Sequence, residues 1–121
     1  MQYEKYLIKK DKTDLLSSLK ALDKKIIKKR LRAYELKSIK ELKNYIIDNF
    51  IDCLSFSKDD IFTQMYFKRL VENENSIFMS VYQEDIEELW AFVYENGNHY
   101  SYYIPTEIKK IIKKELNFKY R

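Results

Sequence analysis

The chain has 121 residues, 45% hydrophobic, 16% aromatic and 35% charged, which is enough apolar material for one small domain and too much for a disordered tail. One Gly and one Pro exclude collagen-like and loop-dominated scaffolds, and the single Cys53 permits neither an internal disulfide nor a cysteine-based zinc site, which reads as a reduced, cytoplasmic protein. The net charge of +4 conceals a segregation: residues 1–45 carry +8, residues 46–100 carry −8 and residues 101–121 carry +4. That asymmetry fits a partner of one sign, a fold that brings basic and acidic parts together, or plain solvated helix faces in a Lys- and Ile-rich composition.

The first start signal is Thr13-Asp14, opening a short helix that carries Leu15, Leu16, Leu19 and Leu22. Asp23 caps a second helix, with Ile26, Ile27, Leu31 and Tyr34 on one side and Lys24, Lys25, Lys28, Lys29, Arg30 and Arg32 around the rest. Ser38-Ile39-Lys40-Glu41 matches a capping box, so a third helix follows with Ile39, Leu42, Tyr45, Ile46, Phe50 and Cys53 at helical spacing. Ser57-Lys58-Asp59-Asp60 repeats that pattern and opens a fourth through Ile61, Met65, Phe67 and Leu70 to about Glu72.

Ser76 to Ser80 is a short apolar run that fits either a strand or a turn into the next helix. Gln83 to Trp90 reads as an acidic helix. Asn96-Gly97 then sits between two aromatic runs, predicting a tight hairpin with strands near 91–95 and 98–104 and with both central residues at positive φ. Pro105 suits the first position of a last helix with Ile108, Ile111, Ile112 and Leu116 inward and Lys109, Lys110, Lys113 and Lys114 outward. The expected class is mainly α with one C-terminal β-hairpin (α+β), one domain over 1–121 with sub-parts 1–56 and 57–121.

Residues 23–53, two helices joined by Glu35-Leu36-Lys37 and continuing through Ser38-Ile39-Lys40-Glu41-Leu42-Lys43-Asn44-Tyr45-Ile46-Ile47, resemble the small SAP-like modules and the N-terminal helical domain of the Rho terminator. Those families bind nucleic acid through a basic helical surface, and the resemblance puts Lys37, Lys40 and Lys43 near a phosphate backbone. They usually place a Gly in the turn, which this chain lacks. Residues 58–117 are similar to a winged-helix domain with Ala91 to Ile104 as the wing. The helix before a wing ordinarily enters the major groove, whereas Glu84, Asp85, Glu87 and Glu88 make this one acidic and repel phosphate, so the resemblance implies protein contact or dimerisation for that half.

Catalytic chemistry finds little support in the residue pattern. His99 is the only histidine and has no spacing to a hydroxyl, to Cys53 or to an orienting acid that suggests a nucleophilic pair. Cys53 at an apolar helical position reads as a small buried hydrophobe. With one Gly, in a turn, there is no phosphate-cradling loop. The paired acids Asp59-Asp60, Glu84-Asp85 and Glu87-Glu88 diverge by about 100° on a helix and are explained more simply by the macrodipole than as metal ligands. Tyr94, Tyr100, Tyr102 and Tyr103 could stack bases, but are read first as the groups that hold a hairpin onto helices. No apolar run approaches the roughly 20 residues of a membrane helix, and Met1-Gln2-Tyr3-Glu4-Lys5 lacks a signal-peptide pattern.

The resulting expectation is a small non-enzymatic nucleic-acid-binding or regulatory protein of a low-GC bacterium, plasmid or phage, needing no cofactor, metal or membrane. Its partner would be nucleic acid, DNA first, with phosphates on Lys24, Lys25, Lys28, Lys29, Arg30, Arg32, Lys37, Lys40 and Lys43. The alternative is a protein-interaction module or inhibitor using Glu84, Asp85, Glu87 and Glu88. A small metal-dependent enzyme ranks third.

Overall fold

Each helix of the N-terminal half begins at a side chain able to accept an amide hydrogen. In the computed structural model, which describes residues 4–76 and 81–116, α1 (Leu15–Ala21) follows Asp14, whose carboxylate accepts from the Ser17 amide at 3.0 Å. α2 (Lys24–Ala33) follows Asp23, which accepts from the Lys25 amide at 2.9 Å. α3 (Ile39–Ser57) opens on the expected capping box: Ser38 Oγ accepts from the Glu41 amide, and the Glu41 carboxylate accepts from the Ser38 amide. α4 (Ile61–Glu72) departs from expectation. Ser57 ends α3 instead of capping α4, and Asp60 is itself the cap, accepting from the Thr63 amide at 3.2 Å.

Two helices stop at residues held in the left-handed region. α5 (Gln83–Glu87) is shorter than the expected Gln83–Trp90 because Leu89 turns to φ 65°; the Leu89 amide then donates to the Ile86 carbonyl and the Trp90 amide to the Asp85 carbonyl, at 3.1 and 2.9 Å. This is a Schellman stop built on Leu where Gly is usual. α2 ends the same way at Glu35, φ 56°, with the Leu36 amide on the Leu31 carbonyl at 2.8 Å. Glu35 is exposed, so its side chain contributes little that would be lost. Glu35→Gly is therefore expected to raise stability by about 0.5–1 kcal/mol, read as a higher urea midpoint.

The predicted hairpin is present with its turn displaced by one residue. β2 (Phe92–Asn96) pairs antiparallel with β3 (His99–Tyr103), and Asn96 faces His99, so the turn is Gly97-Asn98 and not Asn96-Gly97. Only Gly97 of these two has positive φ, 63°, the arrangement of a type II′ turn with glycine first. A third strand, β1 (Leu7–Ile8), adds in parallel to β2, giving the order β1-β2-β3. On the far edge of β3, Asn75 donates to the Tyr102 carbonyl and Tyr102 donates to that of Ser76, at 2.8 and 3.2 Å. Beyond Ser76, the run read as strand or turn lies outside the described residues.

Neighbouring strand residues face opposite sides, and here both sides are covered. Tyr102 and Tyr103 are fully buried: the Tyr102 hydroxyl donates to the Leu70 carbonyl of α4, while the Tyr103 hydroxyl shares a 2.5 Å hydrogen bond with Ser18 of α1. Burial pushes the Tyr103 hydroxyl up to about 12, so it holds this bond as a neutral group. The hairpin tyrosines at its base thus anchor helices and are closed to nucleic-acid bases. α6 (Thr106–Leu116) starts just after Pro105 and locks onto α1, with the Thr106 amide on the Thr13 carbonyl and the Glu107 carboxylate accepting from the Leu15 amide, both at 3.0 Å.

The buried side chains form one cluster drawn from both halves of the chain. α3 contributes the row Leu42, Ile46, Phe50 and Leu54, spaced by four residues, and each such buried side chain contributes about 1.5–3 kcal/mol relative to exposure. Cys53 falls outside that row and is exposed, contrary to the sequence expectation, because Leu54 takes the inward position. Ile61 and Met65 are also exposed, at 62% and 61%. α4 turns Tyr66, Phe67, Leu70 and Val71 to the core, which leaves Ile61 and Met65 on the opposite side. The protein is mainly helical, with six α-helices among the described residues and a small three-stranded sheet.

Candidate functional site

α2 has an apolar side that is only half-buried and an outer side made of cations. Ile26, Ile27, Leu31 and Tyr34 rest against the core, while Lys24, Lys25, Lys28, Lys29 and Arg32 are exposed. None of these five is ion-paired among the described residues. The helix is flanked by two clefts. One, of about 280 Å³, lies between α2 and the turn Glu4–Tyr6 and is lined by Lys5, Tyr6, Lys29 and Arg30. The other, of about 290 Å³, has a floor of Leu19, Leu22, Ile27 and Ile39 and a rim of Lys20, Lys24 and Lys28. Cations therefore run from one cleft over the crest of α2 into the other, and Lys5 and Lys20 join a surface that sequence reasoning confined to residues 24–43.

Arg30 has a different role from its neighbours. It is half-buried on the apolar side of α2, where its guanidinium donates to the Tyr34 hydroxyl at 3.1 Å and to the Glu87 carbonyl at the end of α5. Burial works against its charge, and hydrogen bonds to the Tyr34 and Tyr6 hydroxyls outweigh it. The side chain ties α2 to α5 and sits on the inner side of the stripe, not the polar side assigned to it from the sequence. Arg30→Gln is expected to cost about 2 kcal/mol, the loss of charge-assisted bonds that leave a carbonyl unpaired, whereas exposed Arg32→Gln should leave the urea midpoint unchanged.

Beyond α2, Lys37 and Lys40 are exposed at the start of α3. Lys43 is half-buried and faces Asp14, whose carboxyl is held below its usual value first by the Ser17 amide and then, in smaller part, by Lys43. The nine cations named from the sequence divide into an exposed set, Lys24, Lys25, Lys28, Lys29, Arg32, Lys37 and Lys40, and two half-buried ones, Lys43 and Arg30, of which Arg30 is held by hydrogen bonds.

The acidic segment is not a uniform surface either. Glu84 is exposed and Glu88 half-buried, Glu87 accepts from the Gln83 side chain at 2.8 Å, and Asp85 is buried. Asp85 accepts from the Tyr66 hydroxyl, and burial raises its carboxyl to about 6 although that bond favours the charge. The same burial, with the Asp85 charge beside it, pushes the Tyr66 hydroxyl far above the ordinary tyrosine value.

His99 is exposed at the end of the hairpin. Cys53 is exposed, and partial desolvation of its thiol, with Glu88 and Asp52 nearby, pushes it up, opposite to the direction that makes a nucleophile. Among the described residues, no group of three or more His, Cys, Asp or Glu side chains could hold a metal ion, and no helix is long and apolar enough to cross a membrane. No family model, curated protein or solved structure matches the chain.

Proposed function

We propose that this protein is a non-enzymatic nucleic-acid-binding module whose α2 lies along a phosphate backbone. The observation that carries the reading is the set of five exposed cations on one helical face, Lys24, Lys25, Lys28, Lys29 and Arg32, with no acid paired to any of them among the described residues. Ion pairs among the described residues join Lys58 to Glu115 and Lys109 to Glu74, and involve none of these five. Lys5 and Lys20 in the flanking clefts, and Lys37 and Lys40 beyond, widen the surface to the span of several phosphates. The resemblance of residues 23–53 to SAP-like modules agrees with this use of the face, and a winged-helix reading of the second half adds a scaffold whose own acidic helix stays off the phosphates.

Binding of this kind is mostly electrostatic, steep in salt and tolerant of sequence, because lysines on a helix crest reach phosphates and carry no bidentate base readout. DNA is the first partner to test and RNA the second. A salt titration of binding to a fluorescently labelled DNA duplex, repeated with Lys24, Lys28, Lys29 and Arg32 replaced by Gln and Arg30 retained, decides it.

A further inference from the structure

On the side of the molecule formed by α4 and α5 lies a cleft of about 270 Å³ lined by Asp60, Phe62, Thr63, Tyr66, Tyr82 and Asp85, with Ser57 and Phe67 completing it. Its floor is Asp85, 6% exposed, with Oδ2 held by the Tyr66 hydroxyl and no cation paired to it among the described residues. Its wall is Tyr66 stacked on Tyr82, ring centroids 4.4 Å apart and planes 13° from parallel. Asp60 adds a second carboxylate at the rim, where it caps α4. Of the side chains that line it, Phe62 and Tyr82 are 75% and 60% exposed.

These features answer one another chemically. A buried carboxylate without a counter-charge is costly to keep, and a guanidinium entering beside it would supply both charge and N–H donors to its free oxygen. Aromatic faces next to that carboxylate attract a cation, and a planar guanidinium stacks on them where an ammonium cannot. The volume suits one long side chain and is below that of pockets that enclose a whole small molecule. The exposed Phe62 and Tyr82 then have a use: they would cover apolar residues flanking the inserted one, giving the apolar centre and polar rim of a protein interface.

We infer that the α4–α5 cleft is a docking site for an arginine side chain presented by a polypeptide segment with apolar neighbours, held by Asp85 and by the Tyr66–Tyr82 stack. This site is built from elements other than α2, and it stands or falls separately from the nucleic-acid reading.

The test is an NMR titration of the full chain, following the Phe62, Tyr66 and Tyr82 resonances, with a capped Leu-Arg-Leu tripeptide, its Leu-citrulline-Leu counterpart and spermidine. Citrulline keeps the shape of arginine without its charge. The expected result is saturable shifts with the arginine peptide, binding weaker by roughly tenfold or more for the citrulline peptide, and a similar loss for the arginine peptide on Asp85→Asn. Asn retains an acceptor for the Tyr66 hydroxyl, and Phe62→Ala, at an exposed position, gives a second variant that should weaken binding while leaving the fold intact. Equal binding of the two peptides, no shift at millimolar concentration, or spermidine binding as well as the arginine peptide would each overturn the inference. So would self-association through Phe62 and Tyr82 without peptide, which would assign the cleft to a second copy of the chain.

Discussion

Between about pH 4 and pH 7, the protein should lose about 2 to 3 kcal/mol of stability relative to its Asp85→Asn variant. Burial raises the Asp85 carboxyl to about 6 in the folded state from an ordinary value of 3.8, with Glu84 and Glu88 adding to the rise and the Tyr66 hydrogen bond opposing it. Over the window between those two values the folded state binds a proton that the unfolded state has released, so stability falls as pH rises and levels off above the folded value. The contribution is fully present below about pH 4 and lost by about pH 7. Asn presents a neutral amide to the same Tyr66 hydroxyl and has nothing to titrate. Urea melts of both proteins across this range measure the difference; parallel pH profiles would mean that Asp85 is solvated or neutralised by a cation in the folded state.

The parts of the fold legible in the sequence are those decided by local chemistry. Asp14, Asp23 and Ser38 with Glu41 could be read as caps because the groups they satisfy lie within three residues of them. The hairpin was readable for the same reason, from Gly97. Its register was not: whether Asn96-Gly97 or Gly97-Asn98 forms the turn depends on Phe92 pairing with Tyr103, a choice made by which side chains are buried at the base. β1 left no trace, since Leu7-Ile8 is two residues long and its partner Val93 is far along the chain.

The candidate site follows the same division. The cations of α2 were visible as composition, and their exposure follows from helical spacing alone. Arg30 could have been separated from them, because it falls on the same side of the helix as Ile26, Ile27 and Tyr34; what spacing could not supply was its acceptor, the Glu87 carbonyl 57 residues away. Lys5 and Lys20 were missed because the clefts they line exist only once the Glu4–Tyr6 turn and α1 are packed beside α2. Asp85 was grouped with Glu84, Glu87 and Glu88 as one acidic face. Its burial depends on Tyr66, 19 residues earlier, and that contact turns one member of a charge run into the floor of a cleft.

The nucleic-acid reading makes the largest quantitative claim, since each phosphate neutralised by a cation releases condensed counterions, and the count of contacts appears as the slope of log affinity against log salt. If at least six of the open cations, drawn from α2 with Lys5, Lys20, Lys37 and Lys40, meet phosphates, affinity should fall by about 10³ or more between roughly 50 and 200 mM salt. Replacing Lys24, Lys28, Lys29 and Arg32 with Gln removes four contacts and should lower that slope by about 3 to 4, equally for unrelated sequences, because phosphate contacts carry no base information. The fold should be unaffected, these positions being exposed and Arg30 being kept. The most direct measurement is the salt slope of the wild-type chain on a labelled DNA duplex, with an RNA duplex in parallel. A slope of about −5 or steeper on either is the expected result. Binding to neither at low salt, or a slope unchanged by the four substitutions, would contradict the assignment of α2 to a phosphate backbone.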